Sequence, residues 1–547
     1  MSGAAPDVTV IVIGYNDAER LRRAVQSCRD QTLRTIEIIV CDDHSTDDTP
    51  QVARQLAAQD ARIRCHRLPR NSGGCSAPRN AGLERARAPY VMFLDSDDVL
   101  PARACEILLD ALRADDEADF AMGATERVRT DTGSRTLWHP HLFGHRRTVR
   151  GVREEPGVLF DHLSTNKMYR KAFIDRHTLR FPVGLHYEDQ LFSAQAYCLA
   201  RAFTVVPDPV YRWHIAPYEA AGARSLSNQR HRIENVRDRI AVARRVDAFL
   251  RDSGHEDIAV DKDFKFLKHD LRMYLGDLPY RPTEWIEEFG AEITPYLATL
   301  APQAFQRLPR DQRVVVQLVR DGRYEEARLA ARGLGRQVGP REVTWGSDGR
   351  VHWGPVRPAG PDAARELDLT DLGLRTRPFR TALLRHEITR VAPGTGSRVV
   401  LDVRTYDPGL QLPVGPVAAT VCLAPGKKRL RTSFRLGPVR PGLFEGTVTL
   451  DLAAVPLPQH GFAGRRHPVL VLNEHGRHHT GILLAPLDFP PFEKELLRRR
   501  GPGGHLVTVE PEGHGSGRLQ ITFRRTGLLA RTEPHLTRLR ALAHRTP

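Results

Sequence analysis

Short apolar runs alternate with segments of helical periodicity over the first hundred residues of this 547-residue chain. The runs cover residues 9–13, 36–40, 63–68 and 90–94, and the helical segments between them cover 18–29, 50–58 and 77–86. Strands that alternate with helices of this length predict βαβ units and a mostly parallel sheet. Because ligands bind beyond the carboxyl ends of such strands, the residues that follow each run are the first candidates for a functional site.

Clusters of polar residues follow these runs. They are Gly14-Tyr15-Asn16, residues 41–49, residues 71–80 and residues 94–98. Each has an ordinary structural explanation when taken alone, since Ser, Thr and Asp cap helices and Asn and Gly form turns. Four such clusters at one edge of one sheet favour a binding site instead.

The segment Asp95-Ser96-Asp97-Asp98 carries the clearest chemistry. Two carboxylates on one loop supply hard oxygen ligands for Mg²⁺ or Mn²⁺, which also binds the phosphates of a substrate. Such a metal neutralises the charge that develops on a departing diphosphate. The chain has no G-x-G-x-x-G after its first strand and no G-x-x-x-x-G-K-[ST] motif, which disfavours a dinucleotide-binding enzyme and a P-loop kinase.

Glu188 and Asp189 open a second segment of interest, a helical run that extends to residue 199. Acidic residues in the first turn of a helix are favoured by the helix dipole, and this is the ordinary explanation of the pair. The functional explanation is a general base, because a transfer to a hydroxyl needs one carboxylate to accept the hydroxyl proton.

Together these segments resemble the family 2 glycosyltransferases, which have the α/β GT-A fold. The resemblance covers about residues 7–230 and depends on Val8-Thr9-Val10-Ile11-Val12, Tyr15-Asn16, Asp42-Asp43-His44-Ser45-Thr46-Asp47, Asn80-Ala81-Gly82 and Phe93-Leu94-Asp95-Ser96-Asp97-Asp98. It implies an inverting, metal-dependent enzyme that uses a nucleotide sugar. His44 departs from the pattern, because the family usually has Gly there.

The resemblance also implies roles for individual residues. Tyr15 and Asp43, with Asp42, would hold the uracil ring, Arg79 would lie near the diphosphate, and Asp95 would contact the ribose or the metal. The candidate nucleotide-sugar site also includes Asn71 and, as contacts of phosphate or metal, Arg212 and His214. Asp97, with Asp95, would bind Mn²⁺ or Mg²⁺. Asp189 matches the catalytic base, and Glu188 would bind the acceptor or orient that base. Lys167 recurs in related enzymes without an assigned role here.

Arg212 and His214 belong to Tyr211-Arg212-Trp213-His214, which precedes a loop that ends in Ser225-Leu226-Ser227. A strand followed by such a loop is typical of a flap that closes over a diphosphate and excludes water. A surface strand end with polar residues explains the segment equally well.

The pattern changes after the first 230 residues. Residues 231–335 show helical spacing, typical of a helical linker. Short strand-like runs at 399–403, 418–423, 447–450, 469–472 and 519–524 then predict C-terminal all-β, immunoglobulin-like sandwich domains. We therefore predict a catalytic domain at 1–230, the linker at 231–335, and two sandwiches at 336–450 and 451–547.

This layout resembles the poly(ribitol-phosphate) N-acetylglucosaminyltransferases that decorate wall teichoic acid. The resemblance implies UDP-N-acetylglucosamine as the donor, an anionic cell-wall polymer as the acceptor, and a homotrimer formed through the C-terminal domains.

The distribution of charge points independently to an anionic partner. The chain carries a net charge of +15, and residues 341–547 contribute +13 of it, with 31 Lys and Arg against 18 Asp and Glu. A basic catalytic cleft for nucleic acid is therefore disfavoured, and a polyphosphate acceptor held by the C-terminal portion is favoured. The densest basic segments are Lys427-Lys428-Arg429 with Arg431 and Arg498-Arg499-Arg500. An Arg-rich coding bias on a solvated surface is the alternative.

Three functions from different classes remain open at this point. The first is a polymer glycosyltransferase, and the second is a family 2 enzyme that acts on a lipid-linked or capsular glycan precursor, with its basic region at an anionic membrane. The third is a non-catalytic polyanion-binding protein, which retention of all the acidic motifs argues against. The seven scattered Cys, with no C-x-x-C pair, and the lack of a signal-like N-terminus or a membrane span favour a cytoplasmic protein, with peripheral membrane contact left open.

Overall fold

The computed structural model describes residues 5–215, 229–336, 338–355, 358, 360–424, 430–455, 464–474, 476–486, 492–496, 505–511 and 518–525. The chain divides into two compact units, one formed by residues 1–272 and 291–308 and the other by residues 273–290 and 309–547. Within the described part of the chain, no helix is both long and apolar enough to cross a membrane. All seven cysteines lie in described segments and are free thiols.

The first unit is an α/β domain. Its strands are β1 (Val8–Gly14), β2 (Ile36–Asp42), β3 (Ile63–Arg67), β4 (Tyr90–Asp95), β5 (Ala118–Arg129), β6 (Arg135–Trp138), β7 (Arg147–Val149), β8 (Lys167–Arg170) and β9 (Ala202–Ile215). The helices among them are α1 (Ala18–Arg29), α2 (Thr49–Gln59), α3 (Ser76–Arg85), α4 (Ala104–Arg113), α5 (Lys171–Arg176) and α6 (Glu188–Leu199). The predicted N-terminal strands and helices are confirmed.

One mixed sheet runs through this unit in the order β3-β2-β1-β4-β8-β5-β9-β7, with β6 beside β5. The first four of its strands in sequence are mutually parallel. The strand order reverses at β1, whose neighbours are β2 on one side and β4 on the other. In open α/β sheets ligands bind at such a reversal, beyond the carboxyl ends of the strands. Gly14, Asp42 and Asp95 are the last residues of the three strands.

Both faces are covered at β1, β2 and β4, which explains the apolar runs of these three strands. Along β1, Ile11 and Ile13 pack into one hydrophobic core, and Val10 and Val12 pack into the core on the opposite face. The apolar strands are therefore fixed from both sides, and the polar residues that follow them are held at one edge of a rigid sheet.

Helices follow β9 after residues that lie outside the description. They are α7 (Ile233–Asp252), α8 (Ala259–Lys265), a π-helical segment (Phe266–Leu271), α9 (Arg272–Asp277), α10 (Thr283–Leu297), α11 (Pro302–Gln306), α12 (Arg310–Arg320) and α13 (Tyr324–Ala331). The compact first unit contains α7, α8 and the π-helical segment together with the α/β sheet, and the linker predicted at 231–335 stays a prediction.

The second unit is mostly β-structure. It contains a short hairpin of β10 (Val343–Trp345) and β11 (Val351–Trp353), the helix α14 (Pro361–Glu366), and the strands β12 (Arg385–Pro393), β13 (Arg398–Tyr406), β14 (Val417–Ala424), β15 (Leu430–Arg440), β16 (Leu443–Asp451), β17 (Gly464–Glu474), β18 (Arg477–Leu484), β19 (Phe492–Leu496), β20 (His505–Pro511) and β21 (Leu519–Arg525). The predicted all-β C-terminal portion is confirmed.

The strands β12 to β21 form one sheet that closes on itself, separate from the β10–β11 hairpin. Its order is β14-β15-β16-β13-β12-β18-β17-β21-β20-β19, and β14 also pairs with β17. Hydrogen bonds therefore join strands on the two sides of the boundary predicted between residues 450 and 451. That boundary, like the others predicted from the sequence, stays a prediction.

Candidate active site

Arg79 connects the two acidic segments that the sequence singles out. Its side chain is 4% exposed, and its Nη2 lies 2.7 Å from Oδ1 of Asp95 while its Nη1 lies 2.6 Å from Oε1 of Glu188. Although burial opposes its charge, the carboxylates around it raise the pKa of Arg79. Both terminal nitrogens therefore bind carboxylates, and contact with a diphosphate stays a prediction.

Asp189, the predicted base, is next to Glu188 at the start of α6. Burial and then the negative charge of Glu188 raise the pKa of Asp189 to about 7, and the positive charges of Arg79, Arg239 and Lys265 oppose this shift. A carboxylate with a pKa near neutrality accepts a proton more readily than an ordinary aspartate, and it is still partly ionised at physiological pH.

The residue before this pair is fixed in an unusual conformation. Tyr187 has φ of 65°, in the left-handed region that side chains other than Gly seldom adopt. Its hydroxyl donates to Oδ1 of Asn235 at 2.8 Å, and the guanidinium carbon of Arg239 lies 3.3 Å from the centre of its ring. Both partners belong to α7, so this helix holds the turn that leads into α6.

The residue after the pair is held by a buried polar network. Lys265 donates to Oε1 of Gln190 at 2.9 Å, and Gln190 donates to Oδ1 of Asp270 at 3.2 Å. Asp270 also accepts from Lys265 and from Arg239, at 2.8 Å and 3.1 Å. Sequence reasoning missed this network, because it joins Gln190 of α6 to three residues from separate helical segments of the predicted linker, Arg239, Lys265 and Asp270.

The residues predicted to hold the uracil ring, Tyr15, Asp42 and Asp43, lie at the ends of β1 and β2. Asp43 accepts from the backbone N–H and the hydroxyl of Ser72, at 3.0 Å and 2.9 Å, and from Nδ2 of Asn71 at 3.2 Å. Burial raises the pKa of Asp43. Asp42 accepts from the backbone N–H of Ser45 at 3.1 Å. Tyr15 is 48% exposed, which leaves its ring accessible to a ligand.

A cavity of about 210 Å³ lies directly beside these residues. It is lined by Ser72, Gly73, Gly74, Ser76, Ala77, Val183, Gly184, Leu185, His186 and Asp238. The first of them, Ser72, is the residue that hydrogen-bonds to Asp43. Ser72 therefore connects the lining of the cavity to the predicted nucleotide site.

The departure at His44 is explained by its backbone. Its φ is 62°, a conformation that favours Gly, the residue usual in the resembled family at this position. Nδ1 of His44 lies 3.0 Å from the carbonyl oxygen of Leu68, and this contact stabilises the turn.

The acidic loop after β4 has one inward and one outward carboxylate. Asp98 is buried and accepts from the hydroxyl of Tyr211 at 2.6 Å and from the backbone N–H of His214 at 2.7 Å. Asp97 has a side chain that is 45% exposed. Desolvation, then the charges of Asp98 and Asp95, raise the pKa of Asp97 to about 8. Of these two carboxylates, Asp97 is the one that a cation can reach from solvent.

Arg212 and His214, at the end of β9, lie in different environments. Nε of Arg212 lies 2.8 Å from Oε2 of Glu126, so this guanidinium binds a carboxylate of β5. Nδ1 of His214 is buried, has no hydrogen-bond partner among the residues that the structure describes, and lies 3.8 Å from Oδ1 of Asp98. The predicted flap, with Ser225 and Ser227, lies outside the described residues.

Lys167 forms buried contacts that are structural. Its side chain is fully buried, and its Nζ lies 2.8 Å from Oδ2 of Asp161. It also donates to the carbonyl oxygen of Leu163 and to Oδ1 of Asn166. These contacts fix the segment before β8.

A cluster of aromatic and imidazole rings lies in the same unit and was not predicted. Trp138 and Trp213 flank the guanidinium of Arg127, whose carbon lies 5.2 Å and 5.6 Å from the two rings. The rings of His139, His162 and His269 lie near Trp138, at centroid distances of 4.3, 6.1 and 5.4 Å. Burial lowers the pKa of His139 to about 4 and that of His269 to about 3. The scattered positions of these residues give no local sequence signal.

Several nitrogen atoms of this region have no hydrogen-bond partner among the described residues although they are buried. They are Nε of Arg127, Nε1 of Trp138, Nε2 of His139 and Nδ1 of His162. Buried polar atoms are normally paired, so unpaired ones indicate a place where ligand or water oxygens bind. A small cavity lined by both His162 and Gln190 connects this region to the residue beside Asp189.

The described residues contain no group of three or more His, Cys, Asp or Glu side chains arranged to hold a metal ion. A metal at this edge of the sheet would therefore have at most two protein carboxylates, from Asp95 and Asp97. Mg²⁺ commonly binds in this way, with water and substrate phosphates as its other ligands. Asp95 and Asp97 therefore fit a metal ion whose other ligands are water and the phosphates of a bound diphosphate.

Comparison with known proteins agrees with this geometry. Residues 9–178 match the model of the family described as glycosyl transferase family 2. The chain is 33% identical over 219 residues to the putative glycosyltransferase EpsH of Bacillus subtilis, over 38% of this chain and 61% of that protein. It is 29% identical over 223 residues to the poly(ribitol-phosphate) beta-N-acetylglucosaminyltransferase TarP of Staphylococcus aureus, over 40% of this chain and 66% of that protein. The chain thus spans less than two thirds of the length of both relatives.

The whole fold also has a counterpart among solved structures. The crystal structure of S. aureus TarS aligns with a TM-score of 0.51 at 15% sequence identity, over 96% of this chain and 86% of that one. At this identity the likeness concerns the fold, and it includes both the α/β unit and the all-β unit.

Proposed function

The chain contains a glycosyl transferase family 2 domain at residues 9–178, and on that premise we propose that it is an inverting enzyme that transfers N-acetylglucosamine from UDP-N-acetylglucosamine to hydroxyls of poly(ribitol phosphate). The observation that carries the chemistry is the Asp189 carboxyl group, with its pKa near 7, connected through Glu188 and Arg79 to Asp95 at the end of β4. The sugar and the acceptor are supported by the likeness to TarP, which is named for both.

Asp189 acts as the general base in this proposal. Its carboxylate accepts the proton of an acceptor hydroxyl as that oxygen attacks the anomeric carbon. The bond from the anomeric carbon to the diphosphate oxygen breaks, and its electron pair leaves with UDP. Tyr187 and Gln190, held on both sides of Glu188-Asp189, keep the carboxylate in position during this step.

The donor is bound at the carboxyl ends of β1, β2 and β4. Tyr15, with its accessible ring, and Asp43, with Asn71 beside it, are proposed to hold the uracil ring. The cavity that begins at Ser72 offers space for the rest of the nucleotide sugar. Arg212 and His214 are proposed to contact the donor as well.

Asp97 and Asp95 would hold Mn²⁺ or Mg²⁺. A metal bound there supplies positive charge to the leaving diphosphate. The raised pKa of Asp97 supports this role, because a cation would relieve the repulsion among the three carboxylates of the loop.

The decisive experiment is a screen of UDP release. Wild-type protein with Mn²⁺ is offered several UDP-sugars, each with poly(ribitol phosphate), poly(glycerol phosphate) or a lipid-linked glycan. We expect the highest rate with UDP-N-acetylglucosamine and poly(ribitol phosphate). Preference for the lipid-linked glycan would instead establish the membrane-surface alternative, and no UDP release in any combination would contradict a transferase.

Substitution of the base tests the mechanism. Asp189→Asn should lower kcat by at least about 100-fold, the usual contribution of general-base catalysis, with little change in the Kd of UDP. Asp116→Asn is the matched control, because its side chain is 99% exposed. A normal turnover rate in Asp189→Asn would refute the assignment.

Substitution in the acidic loop tests the metal. Asp97→Ala should abolish the gain in UDP affinity that Mn²⁺ produces, as measured by calorimetry with and without the ion. Equal affinities of the variant and the wild type in Mn²⁺ would exclude Asp97 as a ligand. The homotrimer stays a prediction that light scattering can check.

A further inference from the structure

The all-β unit contains a strongly basic cavity that the transferase site does not use. Its volume is about 680 Å³, and it is lined by Arg375, Arg377, Pro378, Phe379, Arg380, Gln411, Arg477 and His478. Four of the eight lining residues are arginines, and none is acidic. The side chains of Arg375, Arg380 and Arg477 are exposed, so the cavity opens to solvent.

The four arginines differ from their neighbours in how they are paired. Several other arginines of this unit bind carboxylates, as in the pairs Arg341–Glu387 at 2.7 Å and Arg390–Asp402 at 2.6 Å. Arg375, Arg377, Arg380 and Arg477 have no carboxylate within 4 Å in the described part of the chain. Their charges are therefore available to an external anion.

Two of these guanidinium groups are positioned by aromatic rings. The guanidinium carbon of Arg375 lies 3.7 Å from the centre of the Trp345 ring, and that of Arg477 lies 5.2 Å from the centre of the Phe379 ring. Contact with an aromatic ring engages the face of the planar guanidinium and leaves the N–H groups at its edge free to donate. The arrangement reduces the conformational entropy lost when an anion binds.

The backbone that carries the arginines is fixed as well. Nε2 of Gln411 donates to the carbonyl oxygens of Leu374 and Arg377, at 2.7 Å and 3.0 Å. Phe379, 5% exposed, anchors the next turn in the hydrophobic core. Rigid backbone, oriented guanidinium groups and unpaired charge together describe a preformed anion site.

We propose that this cavity binds phosphate groups of a polyanionic chain. Guanidinium groups match phosphate through paired N–H···O bonds, and several of them in one cavity favour successive phosphates over a single carboxylate. The identification of that chain as poly(ribitol phosphate) rests on the proposed function. Binding at this site raises the effective concentration of acceptor hydroxyls for the transferase.

The test uses the full-length protein and labelled inorganic polyphosphate, with affinity measured by fluorescence anisotropy. The double variant R380Q/R477Q should weaken binding by at least about tenfold, the effect of losing one charge-assisted hydrogen bond or more. The control R431Q/R435Q removes the same charge from exposed positions of β15 and should change affinity by less than about threefold. R375Q provides a second test, and the melting temperatures of all variants confirm that they are folded.

Equal losses in R380Q/R477Q and in the control would overturn the proposal, because bulk charge would then explain the binding. Equal affinity of the wild type for polyglutamate and polyphosphate would also overturn it. Failure of the proposed function is distinguishable: polyphosphate would still bind at the cavity, while wild-type protein would release no UDP with poly(ribitol phosphate).

Discussion

The pKa of Asp189 should move in opposite directions when charges on its two sides are removed. Glu188 raises this pKa and Lys265 lowers it. Glu188→Gln keeps an oxygen that accepts from Arg79 while it removes the negative charge next to the base. Lys265→Gln keeps a donor for Asp270 while it removes a positive charge. The first variant should lower the pKa of Asp189, and the second should raise it.

The magnitude follows from the position of the pKa near neutrality. With a pKa of about 7, roughly one tenth of the Asp189 groups are ionised at pH 6. A charge within about 4–6 Å changes a pKa by about one unit or more, so Glu188→Gln would bring the ionised fraction at pH 6 to about one half. Because only the ionised form accepts a proton, kcat rises with pH through the pKa of the base. The acidic limb of the pH profile of kcat should therefore move to lower pH in Glu188→Gln and to higher pH in Lys265→Gln.

The assay is UDP release at saturating donor and acceptor between pH 5 and pH 9, fitted for the apparent pKa of kcat. The apparent pKa is the readout rather than the maximal rate, since Glu188 is also proposed to bind the acceptor. Asp116→Asn should leave the profile unchanged. If the acidic limbs of the two variants moved in the same direction, or if neither moved, a group other than Asp189 would control the rate.

Two substitutions away from the reacting atoms test the packing of the α/β unit. Lys167→Met should destabilise the protein by about 3–5 kcal/mol in urea unfolding, because it leaves the buried Asp161 carboxylate uncompensated, whereas Lys171→Met at an exposed ion pair should cost less than about 1 kcal/mol. Equal costs would contradict the buried ion pair. Gly82→Ala should cost about 1–3 kcal/mol, since its Cβ would lie 2.3 Å from Cγ2 of Ile11, and an unchanged melting temperature would show that α3 can shift away from β1.

The centre of the N-terminal sheet could be predicted from the sequence because β1, β2 and β4 are buried on both faces. Each of these strands is then a continuous or nearly continuous apolar run, and the polar residues that follow it stand out without an alignment. The positions of Asp42 and Asp95 at strand ends follow from this pattern alone. Which side chains meet does not follow from it. Arg79 and Glu188 are 109 residues apart in sequence, and their contact depends on how α3 and α6 pack.

In the acidic loop, too, the sequence does not predict the environment of each side chain, even for adjacent residues. Asp97 and Asp98 are adjacent and chemically identical, yet the side chain of Asp97 is 45% exposed and Asp98 is buried. The difference comes from the hydroxyl of Tyr211 and the backbone N–H of His214, which bind Asp98 and turn it away from solvent. Since both donors lie on β9, more than 110 residues along the chain, local sequence cannot distinguish a metal ligand from a structural carboxylate here.

The arginines of the C-terminal portion also differ in environment: some bind carboxylates and others do not. The sequence supplies a net charge but no pairing, and so it gives equal weight to every arginine. In the structure Arg385 and Arg341 bind the single carboxylate of Glu387, which keeps the pKa of Glu387 down to about 2 despite its burial. Such arginines stabilise the fold and contribute little to the field that an external anion meets. The arginines that can attract a polyanion are those left without carboxylates, and in the described part of this unit Arg380 and Arg477 are two of them at one cavity. Net charge indicates the kind of partner, and the pairing of each charge indicates where that partner binds.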